Sequence, residues 1–189
     1  YADYYERALY NGILASQDPD SGMMTYFQAT RPGYVRLYHT PDESFWCCTG
    51  TGMENHAKYG DSIWFHDGET LTLNQFVASE LSWRERRVRI RQTTAFPDGA
   101  QTRLAVHAQA PTAFTLRLRH PAWCRTMTVR VNGKDVHESR EAGRWFDLAR
   151  RWRDGDIVEI ALPMHLHLAP LPGAPDVAAL MLGPLVLAA

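Results

Sequence analysis

From about Ile63 onward the apolar residues recur at every second position, and this alternation limits what the chain can become more than any other feature. TLTLNQFV, VRIRQTTAF, TRLAVHAQ, AFTLRLRHP, MTVRVNG and DIVEIALP all carry it. A period of two puts successive side chains on opposite faces of a strand, so each segment has one face to bury and one to leave wet. In LRLRH, Leu116 and Leu118 face one way while Arg117 and Arg119 face the other. Asn132-Gly133 is a strong hairpin-turn signal. DGE, PDG, NGK and RDGD punctuate the run at intervals suited to antiparallel pairing. The expected architecture of this part is an antiparallel β-sandwich or jelly roll.

The N-terminal third reads differently. In YADYYERALYNGILASQ, Tyr1, Tyr5, Leu9 and Ile13 recur every four positions with Tyr4 and Ala8 beside them, which predicts an amphipathic helix over residues 1–16. DPDSG supplies the turn that ends it. MMTYFQAT reads as a short strand, RPGYVRLYHTPDES as a loop rich in aromatic and polar groups, and a second short helix is expected from about Thr51 to Tyr59, closed by Gly60. The fold class is α+β, with a helical segment leading into an all-β one. A helix under way at residue 1, with no initiator Met and no charged-then-apolar leader, predicts that the sequence is part of a longer polypeptide. The missing helices would then cover the apolar stripe.

Charge narrows the choice of partners. Twenty basic side chains against twenty-one acidic ones leave a net charge of −1, and no basic run marks a local patch, so neither nucleic acid nor an anionic membrane is an expected partner. No apolar stretch approaches the roughly 20 residues needed to cross a bilayer. VAALMLGPLVLAA is interrupted by Gly183-Pro184 and reads as strands.

Three cysteines are too few for a disulfide-stapled scaffold, yet two of them stand side by side in FWCCTGTGMEN. Cys47 and Cys48 are open to three readings: inert packed thiols, a strained vicinal disulfide, or ligands for a soft metal, most plausibly zinc. Gly50 and Gly52 allow close backbone approach, and Thr49 and Thr51 add donors. A helix beginning nearby turns its unpaired N–H groups toward the thiols and favours the thiolate. Phe45 and Trp46 offer flat apolar walls of the kind sugars stack on. Two thiolates do not complete a tetrahedral site, so further ligands are needed from elsewhere.

Other groups have a bland reading beside the chemical one. Cys124, in HPAWCRT, is expected to be a packed thiol. His165 and His167 share one strand face, which suits a metal half-site but more often a solvated sheet. His39, in the loop leading to the double cysteine, is a candidate site residue. Asp42, Glu43 and Glu54 are nearby carboxylates, with Glu54 expected in the first turns of the second helix, where it serves the helix dipole.

FWCCTGTGMENHAKYGDSIWF resembles the motif of glycoside hydrolase family 127 and its relative family 146, whose best-described members are β-L-arabinofuranosidases. YYERALYNGILASQDPDSGMMTYF resembles the end of that family's helical barrel. SELSW, RHPAW, VNGK, RWRDGDIVEIALPM and LMLGPLVLA resemble its β-rich C-terminal region. The resemblance implies that residues 1–64 are the end of an (α/α)6 barrel catalytic domain and residues 65–189 a β-sandwich domain. It implies that Cys47 is the nucleophile and that Cys47 and Cys48 both bind Zn2+. With an arabinofuranoside as the implied substrate, His39 and Trp46, singled out above from their positions, are the residues expected to contact it. The family's other zinc ligands, in a Glu-x-Cys stretch, and its glutamate general acid lie upstream, in a part of the polypeptide outside these 189 residues. Two other readings stand beside a zinc-thiolate glycosidase. One is a non-catalytic carbohydrate-binding or structural sandwich with a buried thiol pair. The other is a zinc-sulfur interaction module, whose expected CxxC or HxxxH partner is absent from the sequence.

Overall fold

The segments of alternating polarity are strands in the computed structural model, which describes residues 1–29, 33–44 and 46–187. The chain divides into two units, Tyr1 with Asp3–Asp61 and Ala2 with Ser62–Ala189.

In the second unit, β1 (Trp64–Asp67) and β2 (Thr70–Leu73) form a hairpin, followed by β3 (Ser79–Trp83), β4 (Val88–Thr94), β5 (Gln101–Ala108) and β6 (Thr112–Arg119). Then come β7 (Met127–Val131), β8 (Lys134–Ser139), β9 (Trp145–Trp152) and β10 (Ile157–Ala161). They make a four-stranded sheet in the order β1-β2-β6-β9 and a six-stranded sheet in the order β3-β4-β5-β10-β7-β8. Burial follows the alternation. On β4, Val88, Ile90 and Gln92 are buried while Arg89, Arg91 and Thr93 are exposed, and on β6 Phe114, Leu116 and Leu118 are buried.

The two sheets share a core. Trp83 of one meets Phe114 of the other edge-on, with ring centroids 5.6 Å apart, and Phe114 stacks on Trp152 at 5.4 Å. Trp152 is fully buried, and its indole N–H donates to the Phe114 carbonyl at 3.0 Å. Each such apolar side chain contributes roughly 1.5–3 kcal/mol by leaving water.

One pairing departs from the wholly antiparallel expectation. β2 runs parallel to β6, with Leu71 beside Leu116 and Leu73 beside Leu118. β3, β4 and β5 lie in the other sheet, so the chain returns to β2 by a crossover, and a crossover brings a strand back in the same direction. Among the described residues every other strand pair is antiparallel.

The Asn132-Gly133 signal is realised as the β7–β8 turn, with both residues at positive φ (52° and 77°), as a two-residue hairpin requires. Asn132 also ties this turn to the next one. Its amide donates to Asp156 Oδ1 at 2.8 Å, and its side-chain oxygen accepts from the Ile157 N–H at 2.8 Å. The chain closes with a three-stranded sheet of β11 (Leu166–Leu171), β12 (Ala174–Leu182) and β13 (Leu185–Val186). Gly183-Pro184 makes the turn between the last two, and the final two alanines lie outside the described residues.

In the first unit the single long helix of the sequence reading becomes three pieces: α1 (Ala2–Ala8), a π-turn over Leu9–Ile13 and a 3-10 turn over Leu14–Ser16. The Asn11 side chain donates to the Arg7 carbonyl at 2.9 Å and Ser16 Oγ to the Ile13 carbonyl at 2.6 Å. Such side-chain bonds compete with the regular backbone ladder and loosen it. MMTYFQAT is not a strand over its described residues. It contributes two isolated bridges, Gln17 with Met24 and Thr25 with Tyr38, because no neighbouring segment runs beside it long enough to pair. No helix among the described residues is long and apolar enough to cross a membrane.

Candidate functional site

The second helix, α2 (Cys47–His56), begins at the cysteines themselves rather than at Thr51. Glycine is costly inside a helix, by about 1 kcal/mol relative to alanine, which favours a start after Gly50, at the expected Thr51. The earlier start has two consequences. Cys47 and Cys48 occupy the first turn, with Trp46 extended just before them (φ −96°, ψ 158°) and no side chain capping the helix. Glu54 falls in the last turns, not the first, so its expected service to the dipole at the N-terminus is not realised.

What holds α2 is a short relay of backbone and side-chain contacts. Gly52 is buried against Met24, where an added Cβ would lie 2.7 Å from Cε and 2.8 Å from Cγ. Met24 is in turn clamped by His39. The Met24 N–H donates to His39 Nδ1 at 2.8 Å, and the His39 N–H donates to the Met24 carbonyl at 2.9 Å. The imidazole also meets Trp46 edge-on, with centroids 6.4 Å apart. Between His39 and α2, Thr40 and Ser44 close a turn: the Thr40 N–H donates to Ser44 Oγ and the Glu43 N–H to Thr40 Oγ1, at 2.6 and 3.2 Å. That turn carries Asp42 and Glu43 out into solvent.

The two sulfurs stand 3.9 Å apart and are not bonded, with Cys47 exposed and Cys48 half-buried. Desolvation, the hydrogen bond with Cys47 and the nearness of its charge push the Cys48 thiol above its ordinary value. A cation held between them reverses that preference, since a coordinated thiol is deprotonated. Two thiolates on one tetrahedral zinc, each at about 2.3 Å, stand about 3.8 Å apart, so the pair fits such an ion as it lies. Among the described residues no cluster of three or more His, Cys, Asp or Glu side chains accompanies it. The remaining donors would come from outside them.

Beside Trp46 lies a cavity of about 470 Å³, walled by Tyr26, Phe27, Tyr34, Leu37 and Trp46. The rings of Tyr26 and Trp46 are 5.7 Å apart, and Phe27 and Tyr34 are well exposed. Sequence reading singled out Trp46 but not Tyr26, Phe27 or Tyr34; the available signal was the density of aromatic residues between 26 and 46 without alternation. Phe45, the other expected wall, lies outside the described residues, as does the start of the aromatic loop at Arg31 and Pro32.

The other candidates belong to the second unit. Cys124 is fully buried and its Sγ donates to the Thr126 carbonyl at 3.2 Å. His165 and His167 are half-buried with rings 5.4 Å apart. Burial, Arg125 and the His167 ring depress the His165 pKa, so that imidazole favours its neutral form.

Comparison with known proteins gives a consistent picture. Residues 1–61 match the family model for the GH127 β-L-arabinofuranosidase catalytic domain, and residues 70–164 match that for the GH127 middle domain. A solved glycoside hydrolase is similar over 98% of this chain and 33% of its own length, at 25% identity and a TM-score of 0.80. A GH127 β-L-arabinofuranosidase from Geobacillus stearothermophilus T6 is similar over 98% of this chain and 32% of its own, at 28% identity and a TM-score of 0.81. A GH127 β-arabinofuranosidase shares the fold at 23% identity and a TM-score of 0.80. The chain thus spans about a third of the length of these structures. No curated protein matches it significantly.

Proposed function

The chain belongs to the GH127 β-L-arabinofuranosidase family, and from that premise we propose that it is part of a retaining glycoside hydrolase that releases β-L-arabinofuranose with Cys47 as nucleophile. In this reading residues 1–64 are the end of an (α/α)6 barrel and residues 65–189 the sandwich that follows it. The observation that carries the proposal is the paired sulfurs, 3.9 Å apart in the first turn of α2 and next to an aromatic cavity.

Cys47 and Cys48 would both hold zinc, which when bound keeps the thiols ionised at neutral pH. The rest is the work of the chain. The first turn of α2 carries Cys47 with its sulfur exposed. The His39–Met24–Gly52 relay fixes where that sulfur points. Trp46 and Tyr26 provide flat apolar surface for the sugar ring, and His39 anchors the Trp46 side of the cavity. The Cys47 sulfur forms a bond to the anomeric carbon as the bond to the leaving oxygen breaks, and that oxygen takes a proton from a carboxylic acid elsewhere in the polypeptide. Water then attacks the same carbon, gives its proton to the carboxylate, and releases the thiolate. Two displacements at one carbon return the starting configuration.

The test is Cys47→Ser in the intact enzyme with an aryl β-L-arabinofuranoside, read with NMR of the first anomer released by the parent. Turnover should fall by about 10⁴-fold or more, and the parent should release the β-anomer. Undiminished hydrolysis would refute the nucleophile, and the α-anomer would refute retention. No hydrolysis by the parent, with sugar binding intact, would favour a carbohydrate-binding sandwich instead.

A further inference from the structure

The solvent face of the six-stranded sheet carries a second set of chemical groups, separate from the cysteines. Arg84–Arg86 form a 3-10 turn between β3 and β4, and Arg87 ends it in the left-handed conformation (φ 53°, ψ 40°). Glycine or asparagine takes that backbone at lower cost, so an arginine there is strained. The strain asks what the side chain is for. A groove of about 860 Å³ beside the turn is lined by Arg84, Arg87, Arg89, His107, Gln109 and Asp154. All three arginines are exposed. Arg89 approaches Glu80 only at 3.7 Å, and Glu80 is held at 2.9 Å by Arg91. Among the described residues Arg84 and Arg87 have no side-chain hydrogen bond or ion pair.

Four residues further along β4 the same face opens again, into a groove of about 300 Å³ lined by Thr93, Arg103, Thr128, Arg130 and Glu159. Strand register places Arg89 opposite His107, Thr93 opposite Arg103, and Glu159 between Arg103 and Arg130. Arg89 and Thr93 are about 13 Å apart on one strand. The two grooves are therefore stations along one extended strip.

The mixture of groups selects the ligand. A nucleic acid calls for an unbroken basic surface, whereas Glu80, Asp154 and Glu159 interrupt this one and the chain as a whole has a charge of −1. A neutral glycan would leave the guanidiniums of Arg84 and Arg87 unused. We infer that this face binds a polysaccharide with carboxylate-bearing sugars, a uronate-containing chain. Arg84, Arg87 and Arg89 pair with the carboxylates in forked geometry, and Asp154, Glu159, Thr93 and Thr128 accept or donate hydrogen bonds with the hydroxyls. The site needs nothing from Cys47, and its test is independent of that chemistry.

The experiment is calorimetric titration of the intact protein with an oligogalacturonate and with a neutral arabino-oligosaccharide of equal length. The uronate should bind, more weakly as salt rises, and the neutral chain should not bind at this face. Arg87→Gly removes the guanidinium and also relieves the backbone. Affinity for the uronate should fall about tenfold or more while the melting temperature holds or rises and hydrolytic activity stays that of the parent. Arg84→Gln should give a similar loss with no backbone change. Unchanged affinity in both variants, or no uronate binding by the parent, overturns the inference. Equally tight, Arg87-dependent binding of dextran sulfate or single-stranded DNA overturns it too, because the face would then be a general anion patch.

Discussion

Met24 fills the space that a side chain on Gly52 would need, with its Cε 2.7 Å from where a Cβ would stand. Since His39 clamps the Met24 backbone through two hydrogen bonds, the position of α2 rests on Gly52, Met24 and His39 together. Gly52→Ala should push α2 and Met24 apart, costing about 1–3 kcal/mol of stability and about 10- to 100-fold in kcat/KM. Met24→Ala in the same chain should restore part of both. Kinetics and thermal melts on the single and double variants check it; no recovery in the double variant would mean that the clash is absorbed elsewhere.

Cys48 tests the metal separately from the nucleophile. Cys48→Ser in the intact enzyme should lower zinc content and zinc affinity by at least about 100-fold, with activity lost and partly regained at high zinc. Because Cys48 sits above its ordinary pKa and must give up its proton to bind, zinc affinity should fall as pH falls. Zinc titration at two pH values reads this directly, and an affinity independent of pH would contradict it.

The turn network around Asp156 predicts an acid-sensitive joint. Burial would raise this carboxyl, but the Asn132 amide, the Arg153 N–H and the charges of Arg150 and Arg153 outweigh it and hold its pKa below the ordinary value. A carboxyl lowered on folding contributes stability that is fully present above its unfolded pKa of about 3.9 and is lost as pH falls through the lower folded value. Asp156→Ala should cost about 2–3 kcal/mol at pH 7. Urea midpoints at pH 7 and pH 3 should show that difference shrinking in acid.

His137 predicts a second window. It stacks on Phe146 with centroids 3.7 Å apart and 10° between planes, and burial, then the nearby His120, depress its pKa. The neutral ring is the one the fold accommodates. Its contribution is complete above the unfolded value of about 6.5 and is lost as pH drops through the folded value. His137→Phe should flatten the stability profile below pH 6.5 without abolishing its slope, since His165 is shifted in the same direction.

The sequence made the strands legible because alternation is written residue by residue: Arg89 and Arg91 out, Val88 and Ile90 in. It did not reveal partners. Nothing in TLTL says that its neighbour will be LRLR in the same direction, because alternation assigns faces and leaves pairing to the connections. The helix start was misplaced by Gly50, whose poor helix propensity does not stop α2 from beginning at Cys47. Glu54 was misplaced with it. Of the candidate site, the sulfurs could be found from their adjacency, whereas the Tyr26–Phe27–Tyr34 wall depends on how an irregular loop folds back on itself.

The parallel union of β2 and β6 has a consequence for biosynthesis. As the polypeptide leaves the ribosome, the β1–β2 hairpin is complete long before its neighbour exists, and Leu71 and Leu73 must wait for Leu116 and Leu118. Meanwhile β3, β4 and β5, joined by short turns, can pair among themselves. Closing the smaller sheet over that earlier meander is the distant, slow event. Until it happens, the open edge of β2 is the place where a nascent chain is most exposed to a wrong neighbour and where a chaperone would have most to shield.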